Sequence, residues 1–98
     1  MNRTYSLHLI HSIESEIDDN VDAYIILKSK KKIFFTFFTL KNIENLMLKF
    51  KKSGECKGGN FFWAVDMVIL DRLTLENMYN FIDEFLEDNL HLDKFTQD

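Results

Sequence analysis

The six residues Ile33-Phe34-Phe35-Thr36-Phe37-Phe38 restrict this chain more than any other stretch. Successive side chains of a strand point to opposite faces, so the run puts aromatics on both faces at once. Such a strand is expected in the middle of a sheet, covered on each side or nearly so. Ala23-Tyr24-Ile25-Ile26-Leu27 is a second apolar run, and the link between the two, Lys28-Ser29-Lys30-Lys31-Lys32, is short and polar. Two strands joined in this way predict an antiparallel hairpin. Upstream, Tyr5, Leu7 and Leu9 alternate as in a half-buried strand, although Leu7, Ile10, Ile13 and Ile17 also fit a helical stripe. The strand is preferred for the first part. Asp18-Asp19-Asn20 reads as a turn, because short Asx side chains bond to nearby amides.

Thr39 is placed to cap a helix with Ile43, Leu46, Met47 and Phe50 on one face, ending near Ser53-Gly54. Lys49, Lys51 and Lys52 lie where cations complement its macrodipole. All three glycines fall within residues 54–60. Gly54 suits a helix C-cap, and Gly58-Gly59 can supply positive φ before the next strand. Residues 61–70 read as a strongly apolar strand interrupted by Asp66. Thr74 caps a second helix with the stripe Leu75, Met78, Phe81, Ile82, Phe85 and Leu86, running to about Asn89; in the tail, Leu92 and Phe95 are expected to pack back on the core. The expectation is an α+β fold in the order β-β-β-α-β-α, a mainly antiparallel sheet with two helices packed on one face.

The chain is 98 residues long, 46% apolar and carries ten Phe, enough for one core and too short for two, so residues 1–98 are read as a single domain. No stretch approaches the roughly 20 apolar residues of a membrane span, and the N-terminus lacks the pattern of a signal peptide. A single cysteine, Cys56, makes no internal disulfide. A cytoplasmic protein, not bound to a membrane, is expected.

The candidates for chemistry are sparse. His8, His11, His91, Cys56 and Asp66 are the available metal ligands, and on a strand His8 and His11 point to opposite faces. Cys56 lies near lysines able to lower a thiol pKa, but a small residue packed under the glycine turn is the simpler reading. The glycine segment follows a helix and opens a strand, and no Gly-Lys-Ser/Thr follows it, which argues against a phosphate loop. Asp66, read as mid-strand, shares a face by alternation with Phe62, Ala64, Val68 and Leu70. It either meets solvent at a sheet edge or is satisfied internally, and no second polar partner for catalysis stands near it. No enzyme activity, catalytic residue, metal or cofactor is expected.

Charge is the more informative pattern. Residues 1–27 carry a net −4, residues 28–57 a net +7 and residues 58–98 a net −7, giving −4 for the whole. Asp83 with Glu87 and Glu84 with Asp88 are like-charge pairs four apart, crowding the end of a helix that disfavours anions. A basic neighbour, within the fold or on a partner, would account for them. The basic block has no arginine and no aromatic stacking motif on an obviously exposed face. A solvated face is preferred there, with a nucleic-acid-binding or regulatory module using Lys28, Lys30, Lys31 and Lys32 as the alternative.

From Thr39 onward the chain resembles a family of small bacterial immunity proteins, including those of contact-dependent growth inhibition systems. Thr39-Leu40-Lys41-Asn42-Ile43, the Gly54-Glu55-Cys56 loop, the Phe62-Trp63-Ala64-Val65-Asp66-Met67 stretch and Leu73-Thr74-Leu75-Glu76-Asn77 carry the resemblance, over about half of the chain. It implies a cytosolic protein that binds the C-terminal toxin domain delivered by a neighbouring cell and blocks it without catalysis. Many such toxins are nucleases with basic clefts, which an acidic partner fits. Blocking would be steric or by pairing of an exposed strand edge with a toxin strand. Asp18, Asp19, Asp22, Asp83, Glu84, Glu87 and Asp88 are the expected contact acids. No direct contact with nucleic acid is expected of an immunity protein, and a homodimer joined through the Phe-rich sheet is left open.

Overall fold

The computed structural model describes residues 3–89. Strands β1 (Tyr5–Leu9), β2 (Asn20–Leu27), β3 (Lys32–Thr39) and β4 (Met67–Leu70) form one sheet in that order. The helices are α1 (Leu40–Ser53), the single turn α2 (Glu55–Gly59) and α3 (Leu75–Asp88). The expected hairpin is present, with Tyr24 opposite Phe34, and Lys30 takes a φ of 74° to close its turn. β1 adds antiparallel to the other edge of β2, with Leu7 opposite Ile25, which decides for the strand over the helical stripe there. The tail containing His91, Leu92 and Phe95 lies outside the described residues.

Three expectations need correction. The sheet is mixed, because β4 runs parallel to β3, from Thr36 beside Met67 to Thr39 beside Leu70. β3, α1 and β4 make a strand-helix-strand crossover, which brings the chain back to enter the sheet in the same direction. The last strand also has four residues where ten were expected. Asp66 adopts a φ of 57°, in the left-handed region that short Asx side chains tolerate, and the chain before it turns away from the sheet. Asp66 is therefore an exposed turn residue and not a mid-strand one, and alternation says nothing about its face.

The third correction concerns the helices, which lie on opposite faces. α3 covers the face of β3 that carries Phe35 and Phe37; Phe81 meets both rings edge-on at 5.5 and 6.0 Å. Its Met78 and Ile82 are fully buried with Val21, Ala23, Ile25, Phe37 and Leu73. Phe38 points the other way and packs on Phe62 at 5.1 Å, which stacks on Phe50 of α1. Asn20, directly opposite Phe38, donates to Asn42 Oδ1 of α1 at 2.8 Å. α1 thus sits over one end of the second face, and none of its residues is fully buried.

Both threonine caps form as read, Thr39 and Thr74 each accepting from the amide three residues on at 3.1 Å. Gly54 (φ 87°) caps α1 through a 2.8 Å bond from its amide to the Phe50 carbonyl. Gly59 (φ 82°) is required for a second reason: a Cβ there would run into the Met47 carbonyl oxygen and the Lys51 side chain. Cys56, Lys57 and Gly58 also have left-handed φ, so α2 is a tight left-handed turn tucked under α1, with Cys56 half-buried in it.

Candidate functional site

The helix α3 directs Met78 and Ile82 into the core, and its solvent side follows from helical spacing. Glu76, Asn80, Asp83, Glu84, Glu87 and Asp88 occupy that side, all exposed, with no base among them. Asp83 leans toward β1: the Tyr5 hydroxyl donates to it at 2.6 Å, and Arg3 pairs with it at 3.3 Å while lying 4.2 Å over the Tyr79 ring. Burial first, and then the bond to Asp83, push the Tyr5 phenol well above its ordinary pKa. Glu84, Glu87 and Asp88 make no hydrogen bond or ion pair with another described residue. None of the described ion pairs joins the lysine-rich segment to them: α1 stands on the other side of the sheet with its Lys41–Glu44 pair internal, while Lys28 to Lys32 follow Leu27, the β2 residue opposite Tyr5, at the end of the sheet where Asp83 sits. The lysines of α1 and the acids of α3 therefore stand on opposite faces of the sheet, while the hairpin lysines lie at its end, near Tyr5 and Asp83.

The other three candidate acids do different work. Asp18 accepts from the Asn42 and Asn45 amides at 3.1 and 2.7 Å, tying the β1–β2 loop to α1. Asp19 accepts from the backbone amides of Glu14, Ser15 and Asn20 at 2.8, 3.3 and 2.8 Å. Burial opposes its charge, but the three amides outweigh that and hold its pKa below the ordinary carboxylate value. Asp22 accepts from the Thr36 hydroxyl at 3.0 Å on the face away from α3. Asp19 precedes the first residue of β2 and Asp83 meets Tyr5 opposite the last, so about 23 Å of strand separates them. The seven acids do not form one patch; four lie on α3 and two organise a loop.

Two features escaped the sequence. A cleft of about 320 Å³ opens between Phe34 and Phe35 of β3, Met67 and Val68 of β4, and Phe81 and Phe85 of α3, with Asp66 on its rim. It exists because β4 begins late, and the only signal for that was the Asx residue at position 66. The second is a row of rings on the uncovered sheet face, His8 stacked on Tyr24 at 4.9 Å and Tyr24 against Phe34 at 5.4 Å, with the Lys32 ammonium 5.1 Å over Tyr24. Hairpin register sets these residues side by side, so the basic segment does adjoin exposed aromatics, contrary to the sequence reading; Phe34 is 50% exposed. α1 leaves a further apolar groove of about 510 Å³ along Leu40, Ile43, Met47 and Leu48.

Among the described residues no three His, Cys, Asp or Glu side chains converge on a metal-sized site, and no helix is long and apolar enough to cross a membrane. Comparison with known proteins finds no matching family model, no similar curated protein and no similar solved structure.

Proposed function

We propose that this chain is a cytoplasmic binding protein of the immunity type, which captures a basic toxin domain, such as a nuclease, through the acidic side of α3 and blocks it without chemistry of its own. One observation carries the reading: Glu84, Glu87 and Asp88 stand exposed and, among the described residues, without an ion-pair partner on a helix end that disfavours them, although the same chain holds nine lysines in its middle segment. Like-charge pairs four apart cost about 0.2 to 0.5 kcal/mol each. A basic partner removes that cost on binding, and complementary fields raise the rate of encounter. The resemblance from Thr39 onward supplies the biological form of such a partner. Growth rescue tests the reading: the chain should protect cells expressing the toxin domain encoded beside its gene, and the double substitution Glu84→Lys, Glu87→Lys should abolish protection. Full protection by that variant contradicts it.

The ring row His8, Tyr24 and Phe34 beside Lys32 favours a second reading, a platform for single-stranded nucleic acid, since bases stack on aromatics flanked by cations. Salt-sensitive binding of a decathymidylate, lost on Tyr24→Ala, is what that reading expects.

A further inference from the structure

Resting on the reading of this chain as a protein binder, we propose that the uncovered half of β3 takes up an extended, basic segment of the partner as an added strand, with an apolar side chain of that segment seated in the cleft beside Phe34. Three independent features converge there. First, β4 pairs only with Thr36–Thr39, so among the described residues no strand pairs with residues 32–35 on that side. The amides on this edge can be assigned. Thr36 donates to the Asp66 carbonyl at 2.8 Å, whereas Thr39 donates the opposite way, to the Asp19 carbonyl at 3.3 Å. Neighbouring residues of a strand alternate in the direction of their amide groups, so Phe34 and Lys32 turn theirs toward the position that β4 leaves vacant. An open edge of this kind is a template for another strand.

Second, the cleft continues that edge between the sheet and α3, with apolar walls from Met67, Phe81 and Phe85 and ample room for an aliphatic side chain. Third, its rim is acidic. Asp66 lines it, and Glu84 and Asp88 follow Phe81 and Phe85 by three residues, which sets them on the same flank of the helix. These carboxylates select Lys or Arg next to the apolar residue and repel the phosphates of a nucleic acid. Lys32 opens the edge at the end away from Asp66, so the basic residue belongs over Asp66 and not over Lys32.

The test uses the whole chain, observed by amide hydrogen exchange and NMR, with an alternating Val/Lys peptide of ten residues, its Val/Glu counterpart and a decathymidylate as probes. With saturating Val/Lys peptide the Phe34 amide should exchange at least tenfold more slowly, and the Val/Glu peptide should leave it unchanged. Phe34→Ala keeps the edge amide and should weaken binding a few-fold; Phe34→Pro removes it and should abolish binding. The wild-type exchange result stands even if the proline variant does not fold. The proposal is overturned if neither peptide binds, if both bind equally, if binding leaves the Phe34 amide exposed, or if only the decathymidylate protects this edge. A chain that ignores the peptide yet still protects cells through Glu84 and Glu87 would keep the acidic-helix reading and lose this one.

Discussion

α1 and α3 have the same length, the same threonine cap and the same helical spacing of apolar residues, yet one is part of the core and the other is not. Met78 and Ile82 of α3 are wholly enclosed, because α3 lies over the face where β2 and β3 present Val21, Ala23, Ile25, Phe35 and Phe37 together. α1 leaves the sheet at Thr39 and returns over the far end of the opposite face, where it meets Phe38 through Phe62. Its stripe is only half covered, and Leu40 and Leu48 remain exposed. Periodicity establishes that a helix has an apolar side. It does not establish how much surface waits for that side, which depends on strands that come from elsewhere in the chain.

The sharpest way to break this comparison is a matched pair of truncations. Ile82→Ala should cost about 2 to 5 kcal/mol of unfolding free energy by denaturant titration, the range for a fully buried site. Met47→Ala, on the half-covered stripe of α1, should cost about 1 kcal/mol, because water already reaches it. Equal losses would mean that α1 is as much a part of the core as α3.

Gly59→Ala sharpens the same contrast from the other side. A Cβ at a φ of 82° against the Met47 carbonyl must displace α2 from α1, at a cost of about 1 to 3 kcal/mol. Tryptophan fluorescence of Trp63 should shift with it if α2 fixes the path of the chain into β4.

How much of this was legible follows from where each signal resides. The hairpin, both caps, the Gly54 cap and the two stripes are local patterns, and each appears where the sequence put it. The parallel pairing of β4 could have been read from the order strand, α1, strand between Thr39 and Leu70, since a crossover of that kind sets neighbouring strands parallel. The late start of β4 could not, because Asp66 in a left-handed turn looks the same in sequence as an aspartate within a strand. Among the candidate acids, helical spacing grouped those on α3; Asp18 and Asp19 read both as turn residues bonding nearby amides and as contact acids, and Asp19 does hold three loop amides, while the long-range bonds of Asn42 and Asn45 to Asp18 had no local signal.

Asp19 gives a smaller and pH-dependent effect. Its pKa is lowered in the folded state, so its contribution is complete above the ordinary carboxylate pKa of about 4 and is lost as the pH falls through the lower folded value. Asp19→Ala should cost about 1 to 2 kcal/mol at neutral pH, by loss of its charged hydrogen bonds, and the difference from wild type should shrink below about pH 4. A difference that persists in acid would assign the effect to packing and not to the carboxylate.

The smallest effect on stability should come from the surface argued to matter most for function. Glu84→Lys with Glu87→Lys relieves two like-charge pairs on α3 and should leave stability unchanged or raise it by about 0.5 kcal/mol. A large loss there would show that these acids serve the fold, as Asp18 and Asp19 do.

The most direct measurement is the association rate of the chain with the basic toxin domain encoded beside its gene, followed as the ionic strength rises from about 0.01 M to about 0.15 M and the Debye length falls from about 30 to about 8 Å. The acidic face of α3 predicts a fall of about tenfold or more for wild type and a nearly flat response for the variant with Glu84→Lys and Glu87→Lys. Identical salt dependence in the two proteins would contradict it.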